Sequence, residues 1–234
     1  MGYRHNIRRV SCLLCVFTLS FASGLYAAPT YGPDMPKRGK ITMGYQSNIV
    51  FKHRLDDSYG KIKSTQHFLD LSYGVYDWFS FDGKLGVGDI THEGASFQKV
   101  GYGYSFAGGY GFRIRLMDSA KYKAKAALGF HHISVHPQDK VINSDKYESF
   151  LDDWQADLTI SKNFRKVDPF IGIKASKFDM VYNINHGGRK RRPPKYWTGV
   201  VAGCDLNLRE DISIKVEGHF IDETSFSSGI YYKY

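Results

Sequence analysis

The sequence predicts an all-β fold, a closed antiparallel up-and-down transmembrane β-barrel of about ten strands, with eight as the alternative count. Three observations predict it. The last segment alternates: Phe226, Ile230, Tyr232 and Tyr234 fall on one face, and Ser227, Gly229, Tyr231 and Lys233 on the other, the period of a half-buried strand. Connections between such segments alternate short and long, the layout of barrels that cross a membrane. Aromatic residues make up 15% of the chain and gather near segment ends, where membrane girdles lie.

The N-terminus reads as a leader rather than as a strand. Arg4, Arg8 and Arg9 precede an apolar run from Val10 to Phe21, and small residues follow around Gly24, Ala27 and Ala28. That order predicts a secretory signal peptide over residues 1–27, cut after Ala27. Cys12 and Cys15 would leave with it, so Cys204 stays alone and no intrachain disulfide can form. No Cys/His grouping has metal-ligand spacing, and neither metal nor cofactor is expected. The formal charge of +9, less the three leader arginines, is about +6 for the mature part. Beyond the leader no run reaches the ~18 apolar residues of a membrane helix. Pro29, Pro33 and Pro36 predict an extended periplasmic lead-in over residues 28–37, before a barrel domain over residues 38–234.

Ten strands are expected along that domain, near 38–51, 66–76, 79–90, 102–116, 121–136, 151–164, 169–184, 196–208, 211–221 and 226–234. Short connections fall at 77–78, 117–120, 165–168 and 209–210, and long polar ones near 52–65, 91–101, 137–150 and 185–195. Every proline lies outside a proposed strand or at its edge, where a missing N–H breaks no ladder.

One parity of each strand is apolar, as in Leu69/Leu71/Tyr73/Val75, Phe79/Phe81/Leu85/Val87 and Ile212/Ile214/Val216. The other parity is small or charged. Its charges predict the lumen lining: Asp82, Lys84, Arg113, Arg115, Lys123, Lys125, Lys215, Glu217 and Lys233. Close opposite charges in a narrow barrel favour a salt-bridged plug; the alternative is a narrow, anion-favouring pore. A secreted sandwich or lipocalin-like barrel would bury the apolar parity instead. Strand lengths near the ~9–11 residues that cross a bilayer, and aromatics at strand ends (Trp78, Tyr122, Phe164, Tyr232 and Tyr234 on the short-turn side; Phe51, Tyr102, Trp154, Tyr196 and Trp197 on the loop side), argue for the membrane.

The terminal strand, the turn Asp77-Trp78-Phe79-Ser80-Phe81 and the hairpin Gly218-His219-Phe220-Ile221-Asp222-Glu223-Thr224 resemble small bacterial outer-membrane proteins grouped as porin-like β-barrel domains. The resemblance implies an outer-membrane location with both termini periplasmic. It also implies that Phe226, Ile230, Tyr232 and Tyr234 form the signal read by the barrel-assembly machinery. It implies no single activity, so the expected role is structural or narrowly porin-like, without catalysis.

Three further features bear on function. The loop residues Arg189, Lys190, Arg191, Arg192 and Lys195 predict contact with lipopolysaccharide phosphates, the abundant anions of that surface; nucleic acid is not an expected partner. His132 and Ser134 have the His-x-Ser spacing of lipid A deacylase barrels, with Glu148 as the candidate orienting acid. The motif lies mid-chain and Val135 stands where that family has asparagine, so the hydrolase is the lesser reading. A surface adhesin acting through the long loops is another. The paired aspartates and Asp-x-His of the omptin proteases do not occur, since Asp152 and Asp153 are merely adjacent.

Overall fold

The computed structural model describes residues 31–56, 59–94, 99–185 and 187–234. The leader lies outside the described residues. Twelve strands follow: β1 (Ile41–Arg54), β2 (Lys61–Tyr76), β3 (Phe79–Glu93), β4 (Val100–Ser119), β5 (Ala124–Val135), β6 (Lys140–Ile142), β7 (Asp145–Lys162), β8 (Val167–Ile184), β9 (Lys190–Arg192), β10 (Thr198–Asn207), β11 (Ile212–Phe220) and β12 (Glu223–Lys233). Ten of them form an antiparallel ring in the order β1-β2-β3-β4-β5-β7-β8-β10-β11-β12, and β12 returns to β1 from Thr42↔Lys233 to His53↔Glu223. Closure leaves the ring no free edge, the condition for a sheet in lipid. The short strands β6 and β9 lie outside the ring and pair with β7 and β8.

Pleat parity explains the exterior. The outward residues Leu69, Leu71, Phe81, Leu85, Ile171, Ile173 and Ile230 are all exposed. An exposed apolar band of this extent is expected of a surface that meets hydrocarbon rather than water.

Wall height is uneven. The strands β10, β11 and β12 hold 10, 9 and 11 residues, about one bilayer crossing, whereas β4, β7 and β8 hold 20, 18 and 18. The long strands therefore continue past the membrane on the loop side. There the pattern inverts: in β2, Lys61 and Lys63 point outward while Ile62 is fully buried. Ile62, Phe68, Ile90, Tyr102, Ile133, Val135, Phe178 and Met180 form an apolar core inside this upper part of the barrel. Each such side chain removed from water stabilises by roughly 1.5–3 kcal/mol. Tyr102, expected in the outer girdle, belongs to this core, because in the upper tier water lies outside and the apolar face must turn in.

The expected lead-in also sits elsewhere. Tyr31, Pro33, Met35 and Pro36 are buried, so the described part of this segment, 31–36, lies inside the barrel's periplasmic half. A turn at 37–40 carries the chain back out over the end of β2 (Gly39 N–H to Gly74 carbonyl, 2.7 Å). A Cβ on Gly74 would stand 2.1 Å from the Lys37 carbonyl, so glycine is what permits this crossing.

Candidate functional site

The lower tier of the interior is built around Arg113. Its Nε and Nη2 donate to the two carboxylate oxygens of Asp82 on the neighbouring strand, at 2.9 and 2.8 Å. Its Nη1 donates to the carbonyls of Gly32 (2.9 Å) and Asp34 (2.7 Å) in the N-terminal segment. A planar guanidinium with five donors can serve both partners at once. Lys84 donates to Gln46 Oε1 at 2.6 Å and stands 4.2 Å from the Tyr31 ring centroid. Lys215 donates to the Tyr31 carbonyl at 2.7 Å and lies 3.6 Å from Asp205. Lys125 and Lys233 converge on the Asp34 carboxylate from opposite walls, at 2.6 and 2.9 Å. Arg115 donates to the Met35 carbonyl at 3.1 Å, and Glu217 lies 3.3 Å from His219 Nε2.

Lys123 departs from expectation. It is exposed in the β4–β5 turn with φ +51°, outside the interior. A register shift between Arg115 and Met117 and the extension of β4 to Ser119 place it there. Continuing the strand alternation through this region had put it in the lumen.

A second charged cluster lies higher, outside the lumen set expected from the sequence. Lys174 Nζ contacts Asp222 at 2.9 Å and also bonds Glu223, whose other oxygen is 3.3 Å from His53 Nδ1. Asp222 reaches inward because the β11–β12 turn is only two residues long and Ile221 adopts φ +84°. A Cβ on Gly199 would collide with Asp222 Oδ1 at 1.9 Å, so glycine makes room for that carboxylate. Two adjacent acids in so short a turn were the available signal.

The basic loop is ordered. Lys190–Arg192 pairs with β8, Leu55 bridges to Pro194, and the Lys195 N–H donates to the Arg54 carbonyl at 2.9 Å. The loop thus joins the tall edges of β8 and β1 above the low strands β10, β11 and β12. Arg192 turns inward, 3.5 Å from the Tyr59 ring centroid, with Nη2 donating to Tyr182 Oη at 3.0 Å. Arg191 lies 3.6 Å from Asp179, while Arg189, Lys190 and Lys195 stay exposed.

The His132, Ser134 and Glu148 constellation does not assemble. His132 Nε2 bonds Asp152, and its ring lies 4.2 Å from Trp154. Ser134 Oγ donates to the Leu151 carbonyl at 3.1 Å and meets His136 Nε2 at 2.8 Å, not His132. Glu148 lies with Lys146 (2.7 Å) and Asn183. His132 does not touch Ser134 and Glu148 orients neither, so the three residues do not form the linked nucleophile, base and acid that acyl transfer needs.

At the short-turn end Tyr76 stacks on Trp78 at 5.5 Å, and Tyr232 meets Tyr234 at 4.5 Å, all four exposed. Ile230, Tyr232 and Tyr234 share the lipid-facing side, and Phe226 is half-buried on the same parity. An apolar band, an aromatic rim below it and a closed ring of ten strands complete the set. The fold is that of an outer-membrane β-barrel. No family model matches the chain, and no curated protein matches its sequence. Among solved structures it is similar to the outer membrane protease OmpT from Escherichia coli (10% identity, TM-score 0.43, covering 88% of this chain and 99% of that one). It is likewise similar to the translocator domain of the autotransporter NalP from Neisseria meningitidis (10%, 0.44, 98% and 95%). A third is the outer membrane protein OprG from Pseudomonas aeruginosa (11%, 0.43, 87% and 99%). Likeness at this level carries nothing about activity.

Proposed function

We propose that the protein is a sealed outer-membrane barrel with a structural, surface-presenting role, without catalysis and without a continuous water-filled pore. The observation that carries this reading is Arg113 joined at once to Asp82 and to the N-terminal segment, beneath an interior apolar tier. An ion entering from the periplasm would meet Tyr31 and the Asp34 cluster first. It would then meet the Lys174, Asp222 and Glu223 cluster, closed by its own ion pairs, and the apolar core, whose side chains offer no ligands to replace its hydration. A gap at that boundary, between Ile62, Phe178 and Glu223, is about 20 Å³, room for a single water. Planar-bilayer recording of the refolded protein is the test. No steady conductance is expected; steady anion-selective conductance from the native chain would overturn the proposal.

A further inference from the structure

The sealed interior leaves unexplained a groove on the outer wall, above the lipid-facing band. It measures about 250 Å³ and lies where the end of β5 meets β7 and β8. Its walls and rim include His136, Asp139, Glu148, Phe150, Asn183 and Arg189. We propose that this groove binds one phosphorylated sugar of the lipopolysaccharide core that borders the barrel.

Position comes first. Phe150 lies on the same outward parity as Trp154, four residues further up β7, so it stands about 13 Å along the strand beyond the girdle. That places the groove past the acyl chains, at the level of the glycan. Size comes next: the volume accommodates one sugar ring.

Chemistry narrows the ligand further. Asp139 and Glu148 bracket Lys146 at 2.8 and 2.7 Å, and carboxylate oxygens accept from sugar hydroxyls. Asn183 Nδ2 donates to Glu148 at 3.3 Å and completes a polar wall. The His136 and Phe150 rings stack 5.3 Å apart and supply the apolar part of the floor. The Arg189 guanidinium stands 5.7 Å from the Phe150 centroid and forms no ion pair with any described residue. An arginine in no direct ion pair, beside sugar-type acceptors, can take a phosphate carried on a polyol through its fork.

The test uses the refolded full barrel in detergent and isothermal titration with three probes. These are deacylated lipopolysaccharide core oligosaccharide, the same oligosaccharide after phosphatase treatment, and inorganic phosphate. The native protein should bind the phosphorylated oligosaccharide, and both phosphatase treatment and Arg189→Ala should weaken that binding at least ten-fold. Arg209→Ala, an exposed arginine at the opposite end of the barrel, should leave it unchanged. Equal binding by native and Arg189→Ala protein would overturn the proposal, as would inorganic phosphate binding as tightly as the oligosaccharide. Reconstitution into vesicles with and without lipopolysaccharide identifies the source. Added oligosaccharide should fail to bind where membrane-anchored core already fills the groove. Undiminished binding there would overturn the assignment to the barrel's own membrane. Conductance plays no part in any arm, so this site and the sealed lumen stand or fall separately.

Discussion

Arg113 and Asp82 face each other across β3 and β4 through two parallel hydrogen bonds of 2.9 and 2.8 Å, both side chains buried. The arginine's remaining amino group holds the N-terminal segment, so one residue ties the barrel wall to the material that fills it.

Removing the carboxylate in Asp82→Ala leaves that guanidinium buried with only carbonyl and hydroxyl partners and no counter-charge of its own, a loss of ~3–5 kcal/mol. The expected outcome is a clear drop in the urea unfolding midpoint with no conductance before or after. A thermally neutral Asp82→Ala variant would mean that water already solvates the arginine, as in an open pore.

Asp34 lies outside the spanning strands. Burial pushes its carboxyl up, but Lys125, Lys233 and Lys215 more than offset this and hold it well below the ordinary 3.8. A depressed carboxyl stabilises the fold above its free value and loses that contribution as pH falls through its folded value. Unfolding titrations should therefore show stability declining below about pH 4 in the native protein. In Asp34→Asn that decline should be shallower, from a starting stability lower by roughly 1–3 kcal/mol at neutral pH. Parallel acid profiles for the two proteins would count against the Asp34 cluster as a folded-state interaction.

Arg192 pins the loop that bridges β8 to β1. Arg192→Ala removes the contacts to Tyr59 and Tyr182, about 1–2 kcal/mol of local stability, which raises local opening roughly ten-fold. Trypsin cleavage after Lys190 in intact cells or liposomes should accelerate to match. An unchanged rate would show that backbone pairing alone closes the wall.

Ser134→Ala should leave lipid A acylation unchanged, because His132 bonds Asp152 rather than Ser134 and Glu148 bonds Lys146. Mass spectrometry of lipid A from cells expressing each form decides it. An acyl chain lost with the native protein and retained with the alanine variant would establish the hydrolase.

Tyr234→Lys places a charge beside Tyr232 in the aromatic rim, next to the Tyr234 N–H bond to the Ile41 carbonyl that helps close the ring. Heat-modifiable folded protein in outer membranes should fall sharply. Normal yield would count against the terminal strand as an assembly signal.

Much of the barrel was legible in the chain because lipid outside and polar groups inside give each spanning strand a two-residue period. Leu69/Leu71 against Asp70, and Phe81 against Asp82, state their faces without any knowledge of their neighbours. The strand count and the inward set around Asp82, Lys84 and Arg113 follow from that period. The tertiary structure decided what the period cannot express. Above the membrane, water replaces lipid and the same alternation reverses, so residues 61–65 read as a polar loop although Ile62 is core. Lys123 was misplaced because a register shift is a property of paired strands, not of one. The destination of residues 31–36 depends on Arg113, Lys125, Lys215 and Lys233, which are distant in sequence and meet only when the ring closes. The outer groove is likewise formed by residues from three separate strands and their loops, brought together by pairing alone.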